Sequence, residues 1–336
     1  MSDRPVVLVD ADVLGRHRTG DETYVTQLLR ELPGVAQDLR IVAVTRDASL
    51  VPDGVEPVQL SARSQELRMA VTLPRLLRRL RPDVAHFIHA LPLHCPCPAV
   101  VTVQDLSWER DPSVFGFWDL ATFKVFVRRA VRKAERVLAI SERTKADLIE
   151  LYKTTPDKVV VTPLAPDPAF VPGGEHDSFL LYVSAIEPRK QPLAAIDAAN
   201  AVGRKLVVVG PAKDPELAAE LTRRGADVRG YVPKEELVRL YQQAACLVFP
   251  SRYEGFGLPV VEAMACGTPV VAAPERAMQE VAGEAAIFTD DLADGVRRAL
   301  ADRARLSAAG LERSKRFSWR ETARITADVY RRVLAT

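Results

Sequence analysis

The stretch CLVFPSRYEGFGLPVVEAMACGTPVVAA, residues 246–273, decides the fold of this chain. It begins with a continuous apolar run and a glycine-containing loop. A helix-like segment follows, which Pro259 opens and Gly267 ends, and then a second apolar run. Short continuous apolar runs indicate strands that are covered on both faces, and strand–helix–strand order indicates a parallel sheet. The stretch is therefore predicted to be one unit of an open α/β sheet.

The same alternation extends along the whole chain. Short β-branched runs, each followed by a helix-like segment, recur on both sides of PDPAFVPGGEHD, residues 166–177. That stretch collects three prolines and two glycines, which is typical of a linker between domains. We predict an α/β protein of two similar Rossmann-like domains, divided at this linker.

Composition narrows the class of protein. A length of 336 residues suits two domains, and a net charge of +2 provides no general basic field for nucleic acid. Apolar runs are much shorter than the roughly 20 residues of a membrane-spanning helix. The start, MSDRPVVLVDAD, lacks the pattern of a signal peptide, and four cysteines do not suggest a disulfide framework. These features predict a cytoplasmic protein.

The loop before Pro259 has the chemistry of an anion site. Gly255 and Gly257 permit unusual backbone angles and the close approach of a ligand. The amides of Phe256, Gly257 and Leu258 are expected to point along the start of the helix, where the dipole favours negative charge. A phosphate is the natural occupant.

Two glutamates flank this loop. Glu262 is predicted in the first turn of the helix, where its two oxygens could accept a ribose diol, and Glu254 could accept hydrogen bonds from sugar hydroxyls. The alternative is that Glu254 lies on the surface and that Glu262 only complements the helix dipole. On the first interpretation the ligand is a nucleotide-sugar.

The motif E-G-F-G-L-P-x-x-E-A-M-A-C-G-T-P-V-V resembles the E-x7-E signature of retaining GT-B glycosyltransferases of the family 4-like, group 1 type. RTGDETYVTQLLREL, VVTVQDLSWERDP and LYVSAIEPRKQPLAAIDA also resemble family segments, in family order. The resemblance implies two parallel-sheet domains that face each other across a cleft. Residues 1–170 would bind the acceptor and residues 171–317 the nucleotide-sugar, and the last helix, 318–336, would cross back to the first domain.

The resemblance also implies roles for single residues. Arg189 and Lys190 align with a basic pair that binds the diphosphate; fixed cations and helix amides would then stabilise the leaving group, so that no divalent metal or other cofactor is needed. Tyr231 and Val232 end a strand whose backbone faces the donor base in relatives. Gly20 matches a glycine that lets the first domain approach the donor phosphates. The alternatives are a solvated Arg–Lys pair and a simple tight turn at Gly20.

One position departs from the family pattern. Many relatives have a histidine before Asp105, and this chain has Gln104, which cannot titrate near neutral pH. We hypothesise that Gln104 positions the reacting sugar by hydrogen bonding to a hydroxyl group. Asp105 either lies on the acceptor side or ties down its own loop.

Two further patterns contain metal-ligand residue types. HFIHALPLHCPC, residues 86–97, holds three histidines and two cysteines, but the spacing fits no familiar structural zinc site. We interpret it as a buried or acceptor-facing loop, with His86 on the acceptor side. Asp10 and Asp12 form a D-x-D at the end of the first strand, and no metal is expected there.

The sequence therefore predicts a retaining hexosyltransferase. It would move a hexose, with mannose as the first guess, from a nucleotide-diphosphate sugar to a glycan, a lipid-linked glycan or a small molecule, forming an α-linkage. Two rivals are a catalytically weak nucleotide-sugar-binding subunit and a GT-B phosphorylase or epimerase. The basic helical stretches 68–82 and 123–137 are either solvated faces or a peripheral contact with anionic lipid at the inner face of the cell membrane.

Overall fold

A computed structural model describes residues 4–16, 19–60, 62, 64–112, 116–174 and 179–336. The chain forms two compact units, one reaching to Leu164 together with Trp319–Thr336, the other spanning Ala165–Ser318. The boundary predicted after residue 170 lies a few residues beyond the observed one. Residues 175–177 of the predicted linker lie outside the described residues.

The first unit is built on a parallel sheet with the strand order β3-β2-β1-β4-β5-β6-β7 in its described part. The strands are β1 Val6–Asp10, β2 Arg40–Thr45, β3 Glu56–Gln59, β4 Val84–Ile88, β5 Ala99–Val103, β6 Arg136–Ala139 and β7 Val159–Val161. The helices that connect them are α1 Thr19–Val35, α2 Gln65–Leu67, α3 Leu73–Leu80, α4 Ser107–Arg110, α5 Phe117–Lys133 and α6 Glu142–Tyr152, with a π-helical turn at Arg68–Thr72.

The second unit has its own parallel sheet, with the strand order β10-β9-β8-β11-β12-β13. Its strands are β8 Leu180–Val183, β9 Leu206–Val209, β10 Asp227–Gly230, β11 Cys246–Phe249, β12 Val270–Ala272 and β13 Ile287–Phe288. Its helices are α7 Pro192–Ala201, α8 Pro215–Arg223, α9 Lys234–Gln243, α10 Leu258–Ala265, α11 Arg276–Ala282, α12 Leu292–Ala301 and α13 Arg303–Ser314.

The last helix, α14 (Trp319–Leu334), belongs to the first unit and packs on α1. Tyr330 is fully buried, and the ring of Trp319 lies 6.4 Å from that of Tyr24 on α1. Burying a large side chain of this kind stabilises a fold by about 1.5–3 kcal/mol. The predicted return of the terminal helix to the first domain is confirmed.

The central strands are buried on both faces, as their continuous apolar runs predict. Every residue of β5, for example, is buried. Strand β3 was not predicted: it is a mostly exposed edge strand, and its EPVQ sequence holds Pro57, which only an edge accommodates easily. Within the part of the chain that the structure describes, no helix is both long and apolar enough to cross a membrane.

Because the strands of each sheet are parallel, their carboxyl ends meet at one edge. In the first unit this edge brings the loops after β1, β4 and β5 together, since these strands are neighbours. In the second unit it does the same for the loops after β8 and β11. Ligands of open α/β sheets bind at such edges.

Candidate functional site

The loop after β11 turns sharply into α10. Gly257 has φ 98° and ψ 50°, a left-handed conformation that favours glycine, and a Cβ there would lie 3.4 Å from Met278 Cγ. Pro259 lies in the first turn, and Gly267, with φ 74°, follows the end of the helix, as predicted. Gly255 was also predicted to adopt an unusual backbone angle, but its φ is not positive.

The start of α10 presents backbone donors. Within the described residues, the amides of Phe256, Gly257 and Leu258 have no hydrogen-bond acceptor, as expected of the first N–H groups of a helix. The Phe256 side chain is buried edge-on against Phe317, at 5.5 Å between ring centroids, which fixes the loop. The arrangement suits a bound anion.

A buried cation and a carboxylate meet beside this loop. Lys190 follows β8 and donates from Nζ to Oε1 of Glu254 at 2.6 Å, and each side chain is only 11% exposed. Glu254 itself lies two residues before Phe256. The pair therefore brings the ammonium group to the loop that precedes α10.

Arg189 has different contacts. Its Nη1 donates to the carbonyl of Tyr253 at 2.7 Å, and its Nη2 donates to Glu187 at 2.8 Å. Burial would raise the pKa of Glu187, but Arg189 and Lys213 outweigh this and hold the pKa below its usual value. Because its guanidinium group is buried and binds protein groups, Arg189 joins the β8 loop to the β11 loop. These contacts do not support the prediction that Arg189 binds the diphosphate directly.

Glu262 lies in the second turn of α10, so the prediction of the first turn is wrong. Tyr241 donates to its Oε2 at 3.0 Å. Burial raises the pKa of Glu262 to about 7, and the nearby Asp167 carboxylate adds to the rise, while Tyr241 and Lys234 oppose it. A carboxylate beyond the first turn gains little from the helix dipole. This argues against the alternative that Glu262 only complements that dipole.

Tyr231 and Val232 follow the end of β10 at the same edge of the sheet. The Tyr231 side chain is 65% exposed, whereas Val232 is buried in the core of the second unit. Of Val232, therefore, only the backbone is available to a ligand. The contact of these residues with a donor base stays a prediction.

In the first unit, Gln104 lies at the carboxyl end of β5. Its side chain is 8% exposed, and its Nε2 has no hydrogen-bond partner among the described residues. A Cβ on Gly20 would lie 3.6 Å from Gln104 Oε1. Gly20 lies in the first turn of α1 without a positive φ, so the alternative of a tight turn does not explain it.

Asp105 holds its own loop. Its Oδ1 accepts hydrogen bonds from both the backbone N–H and the hydroxyl of Ser107, each at 2.9 Å. These contacts support the alternative that Asp105 ties down its own loop.

His86 is not on the acceptor side. It has no exposed surface, and its ring nitrogens hydrogen-bond to Tyr330 Oη at 2.6 Å and Thr102 Oγ1 at 2.7 Å. Thr102 also hydrogen-bonds to Tyr24 at 2.9 Å. Burial lowers the pKa of His86 to about 3, so the ring is neutral. His86 joins the sheet to α1 and α14, and the prediction that it contacts the acceptor is wrong.

His89, the next histidine of the same segment, is partly exposed, whereas His86 is not. It has φ 60°, and a hydrogen bond of 2.7 Å from Ala90 N–H to Ile88 C=O closes a tight turn around it. Its Nε2 lies 3.4 Å from Asp21 Oδ1, and the two side chains are 22% and 29% exposed. Strained non-glycine residues at a sheet edge are common in functional sites. The second histidine of H-x2-H was the signal in the sequence, but only the fold separates its role from that of His86.

Asp10 and Asp12 form ion pairs. Arg68, which is only 1% exposed, pairs with both, and Arg46 Nε lies 2.7 Å from Asp12 Oδ1. Among the described residues, no three His, Cys, Asp or Glu side chains are grouped as ligands of one metal ion.

Comparison with known proteins identifies the family. The family model described as Glycosyltransferase Family 4 matches residues 18–170, and the one described as Glycosyl transferases group 1 matches residues 169–322. The O-antigen chain mannosyltransferase B of Escherichia coli is 28% identical over 266 residues, which are 69% of this chain and 70% of that protein.

Two further proteins are similar. The D-inositol 3-phosphate glycosyltransferase of Nocardioides sp. is 34% identical over 254 residues, 62% of this chain, and the match spans only 56% of that enzyme. The structure of Anabaena HepE in complex with UDP-glucose has a TM-score of 0.76 at 16% identity, over 98% of this chain and 99% of that one, which shows a shared fold. With two parallel-sheet units and family matches that together run from residue 18 to residue 322, the chain belongs to the glycosyltransferases of the family 4 and group 1 type and has the GT-B fold.

Proposed function

We propose that this glycosyltransferase is a retaining hexosyltransferase that forms an α-linkage. The donor is a nucleotide-diphosphate sugar, and mannose is the first candidate for the sugar, since a similar E. coli protein is a mannosyltransferase. The acceptor is a glycan, a lipid-linked glycan or a small molecule. The structural neighbour that holds UDP-glucose supports a nucleotide-sugar donor.

The observation that carries the proposal is the position of Lys190. Glu254 holds its ammonium group at 2.6 Å, next to the loop whose amides at residues 256–258 start α10. The amides would bind the diphosphate, and Lys190 would stabilise the negative charge that develops as the sugar leaves. In this proposal the reaction needs no divalent metal.

The two glutamates have separate roles. Glu262, with one oxygen held by Tyr241, would accept the ribose hydroxyls in its ionised form. Glu254 would accept a hydroxyl of the transferred sugar, because a carboxylate has acceptor capacity beyond its contact with Lys190. Arg189 would act as a positioning residue that holds the two loops together.

Proton transfer in this proposal does not depend on a protein base. The bond from the anomeric carbon to the phosphate oxygen breaks, and a bond to the acceptor oxygen forms on the same face. The acceptor's proton passes to the departing phosphate oxygen. Gln104, whose Nε2 has no partner among the described residues, would position a substrate hydroxyl.

Helix α5 supports a peripheral membrane contact for an enzyme with a lipid-linked acceptor. Val125 and Phe126 are 62% and 38% exposed, and Arg128, Arg132 and Lys133 are exposed on the same helix. Apolar and basic side chains together favour an anionic bilayer surface. Sedimentation with phosphatidylglycerol vesicles should be lost in the V125S/F126S variant. No sedimentation of the wild type at low salt would reject the contact, and a cytoplasmic location at the inner membrane face stays a prediction.

The test of the function is a transfer assay with GDP-mannose, UDP-glucose and dTDP-glucose as donors. Mono- and oligosaccharides would serve as acceptors, with and without EDTA, and NMR would give the anomeric configuration of the product. We expect an α-linked product that EDTA does not reduce. A β-linked product would reject retention, and donor binding without transfer would favour the binding subunit. Dependence on inorganic phosphate, or nucleotide release without an acceptor, would favour the phosphorylase or epimerase.

A further inference from the structure

A pair of cysteines lies in the connection between β4 and β5, outside the sites described above. Cys95 and Cys97, separated by Pro96, come just before β5, and their Sγ atoms are 3.8 Å apart. Both side chains are half-buried, whereas Cys246 and Cys266 are buried. Only the first pair therefore combines proximity with access to solvent.

The surroundings make the two thiols unequal. The hydrogen bond from Cys97 lowers the pKa of Cys95 to about 7, and the nearby charge of Arg129 helps. The same hydrogen bond and burial raise the pKa of Cys97 well above its usual value. Near neutral pH a substantial fraction of Cys95 is thiolate while Cys97 stays protonated, which suits a nucleophilic and a resolving cysteine, respectively.

Arg129 also fixes the chain on one side of the pair. Its guanidinium group donates to the carbonyls of Leu91, Pro92 and Leu93, at 3.3, 3.1 and 2.6 Å respectively. Strand β5 fixes the chain from Ala99 onward. The two cysteines thus lie on a short segment that is held at both ends.

We propose that Cys95 and Cys97 form a thiol–disulfide modification site that reacts reversibly with low-molecular-weight disulfides. The Cys95 thiolate attacks one sulfur of the reagent, so that a mixed disulfide forms and one thiolate leaves. Cys97 then gives its proton to solvent and attacks Cys95 Sγ, which closes the internal disulfide and releases the second thiolate. Two protein thiols are oxidised, and one disulfide is reduced to two thiols.

The geometry makes the bond reversible. A disulfide is about 2.05 Å long, so the sulfurs must approach by roughly 1.8 Å, within reach of side-chain rotation and a small shift of the segment. The ring closes over only three residues, which gives little entropic stabilisation and leaves the bond easy to reduce. Among the described residues no third metal ligand joins the pair, which favours thiol chemistry over a metal site.

The experiment uses the full chain, reduced with dithiothreitol, freed of reductant and incubated with glutathione disulfide at pH 7.5. Intact mass and peptide mapping should show that Cys95 and Cys97 lose two hydrogens and hold no glutathione, and dithiothreitol should reverse this. In Cys97→Ser, glutathione should remain attached to Cys95. In Cys95→Ser, reaction at Cys97 should be at least about ten-fold slower.

The matched control is the C246S/C266S double variant, which should react like the wild type because those thiols are buried. A wild type that stays reduced, or that keeps glutathione on Cys95 beside an unreacted Cys97, would overturn the proposal. Equal reactivity of Cys95→Ser and Cys97→Ser would overturn it too. Since the readout is protein mass, its result does not depend on the glycosyltransferase reaction.

Discussion

Lys190 Nζ lies 2.6 Å from Oε1 of Glu254, and the two side chains come from loops that follow adjacent strands of one sheet. The chain separation is 64 residues, so only the pairing of β8 with β11 brings them together. Each side chain is only 11% exposed, so water would solvate either charge poorly if its partner were removed. Removing one partner therefore leaves a largely desolvated charge.

Lys190→Met should lower the free energy of unfolding by about 3 kcal/mol, because Glu254 loses its counter-charge in a largely buried position. The K190M/E254Q double variant should be more stable than Lys190→Met alone, since no charge is then left behind. Urea denaturation of the wild type, both single variants and the double variant measures the coupling. Every variant in the set should lose transfer activity.

Lys315→Met is the matched control for this pair. Its Nζ lies 3.0 Å from Glu312, but the side chains are 71% and 75% exposed. An exposed pair contributes less than about 1 kcal/mol, so this variant should denature almost like the wild type. If Lys190→Met were equally harmless, Glu254 would not depend on Lys190 as its counter-charge.

Gly257→Ala should weaken nucleotide-sugar binding by at least about ten-fold. An alanine at φ 98° is strained by roughly 1–2 kcal/mol, and relief of that strain would turn the amides at the start of α10 away from their present direction. Isothermal titration calorimetry with the donor that gives the largest thermal shift measures the change in Kd.

Gly203→Ala provides the same backbone strain elsewhere in the second unit. Gly203 has φ 65°, nothing lies within 4 Å of a Cβ there, and the residue precedes β9 at the opposite edge of the sheet. It should be destabilised to a similar degree but bind the donor normally. A parallel loss of affinity in both variants would mean that strain, and not the anion site, explains the result.

The fold was largely predictable because its signals are local. Each buried strand is a continuous apolar run, and Pro259 and Gly267 mark the ends of α10 within the sequence itself. Strand β3 was missed because an exposed edge strand needs no apolar run. It forms by pairing with β2, a neighbour that the sequence does not reveal.

Of the candidate site, only the loop that precedes α10 could be predicted from the sequence. The amides at residues 256–258 follow from the glycine–proline pattern, but the partners of Arg189 and His86 lie far away in the chain. Tyr253 is 64 residues from Arg189, and Tyr330 is 244 residues from His86. A charged or titratable residue looks the same in the sequence whether it faces a ligand or a buried hydroxyl.

Donor binding should depend on the ionisation of Glu262. Burial raises its pKa to about 7, and ribose hydroxyls donate to the ionised carboxylate. The ionised fraction rises as pH increases through 7, so affinity for an intact nucleotide-sugar should increase roughly ten-fold from pH 6 to pH 8. Below pH 7, binding should release a proton, which calorimetry in buffers of different ionisation enthalpy detects.

Glu262→Gln should bind more weakly and without this pH dependence, while Glu235→Gln, at an exposed glutamate on α9, should keep the wild-type profile. A pH profile that persists in Glu262→Gln would assign the titration to another group, and Glu262 would then not be the ribose contact.

The buried His86 should make the first unit sensitive to acid. Its folded-state pKa is about 3, while an unfolded chain has the ordinary value near 6.5, so below pH 6.5 the unfolded state binds a proton that the folded state rejects. Between pH 6.5 and pH 5 this removes about 2 kcal/mol of stability.

His86→Gln, which can still hydrogen-bond to Tyr330 and Thr102, should lose about 2 kcal/mol less than the wild type between pH 7.5 and pH 5 in urea denaturation. The exposed His94→Gln should follow the wild type. An equal fall in His86→Gln would show that the hydroxyl network accommodates a charged imidazole, contrary to its complete burial between two hydroxyl groups.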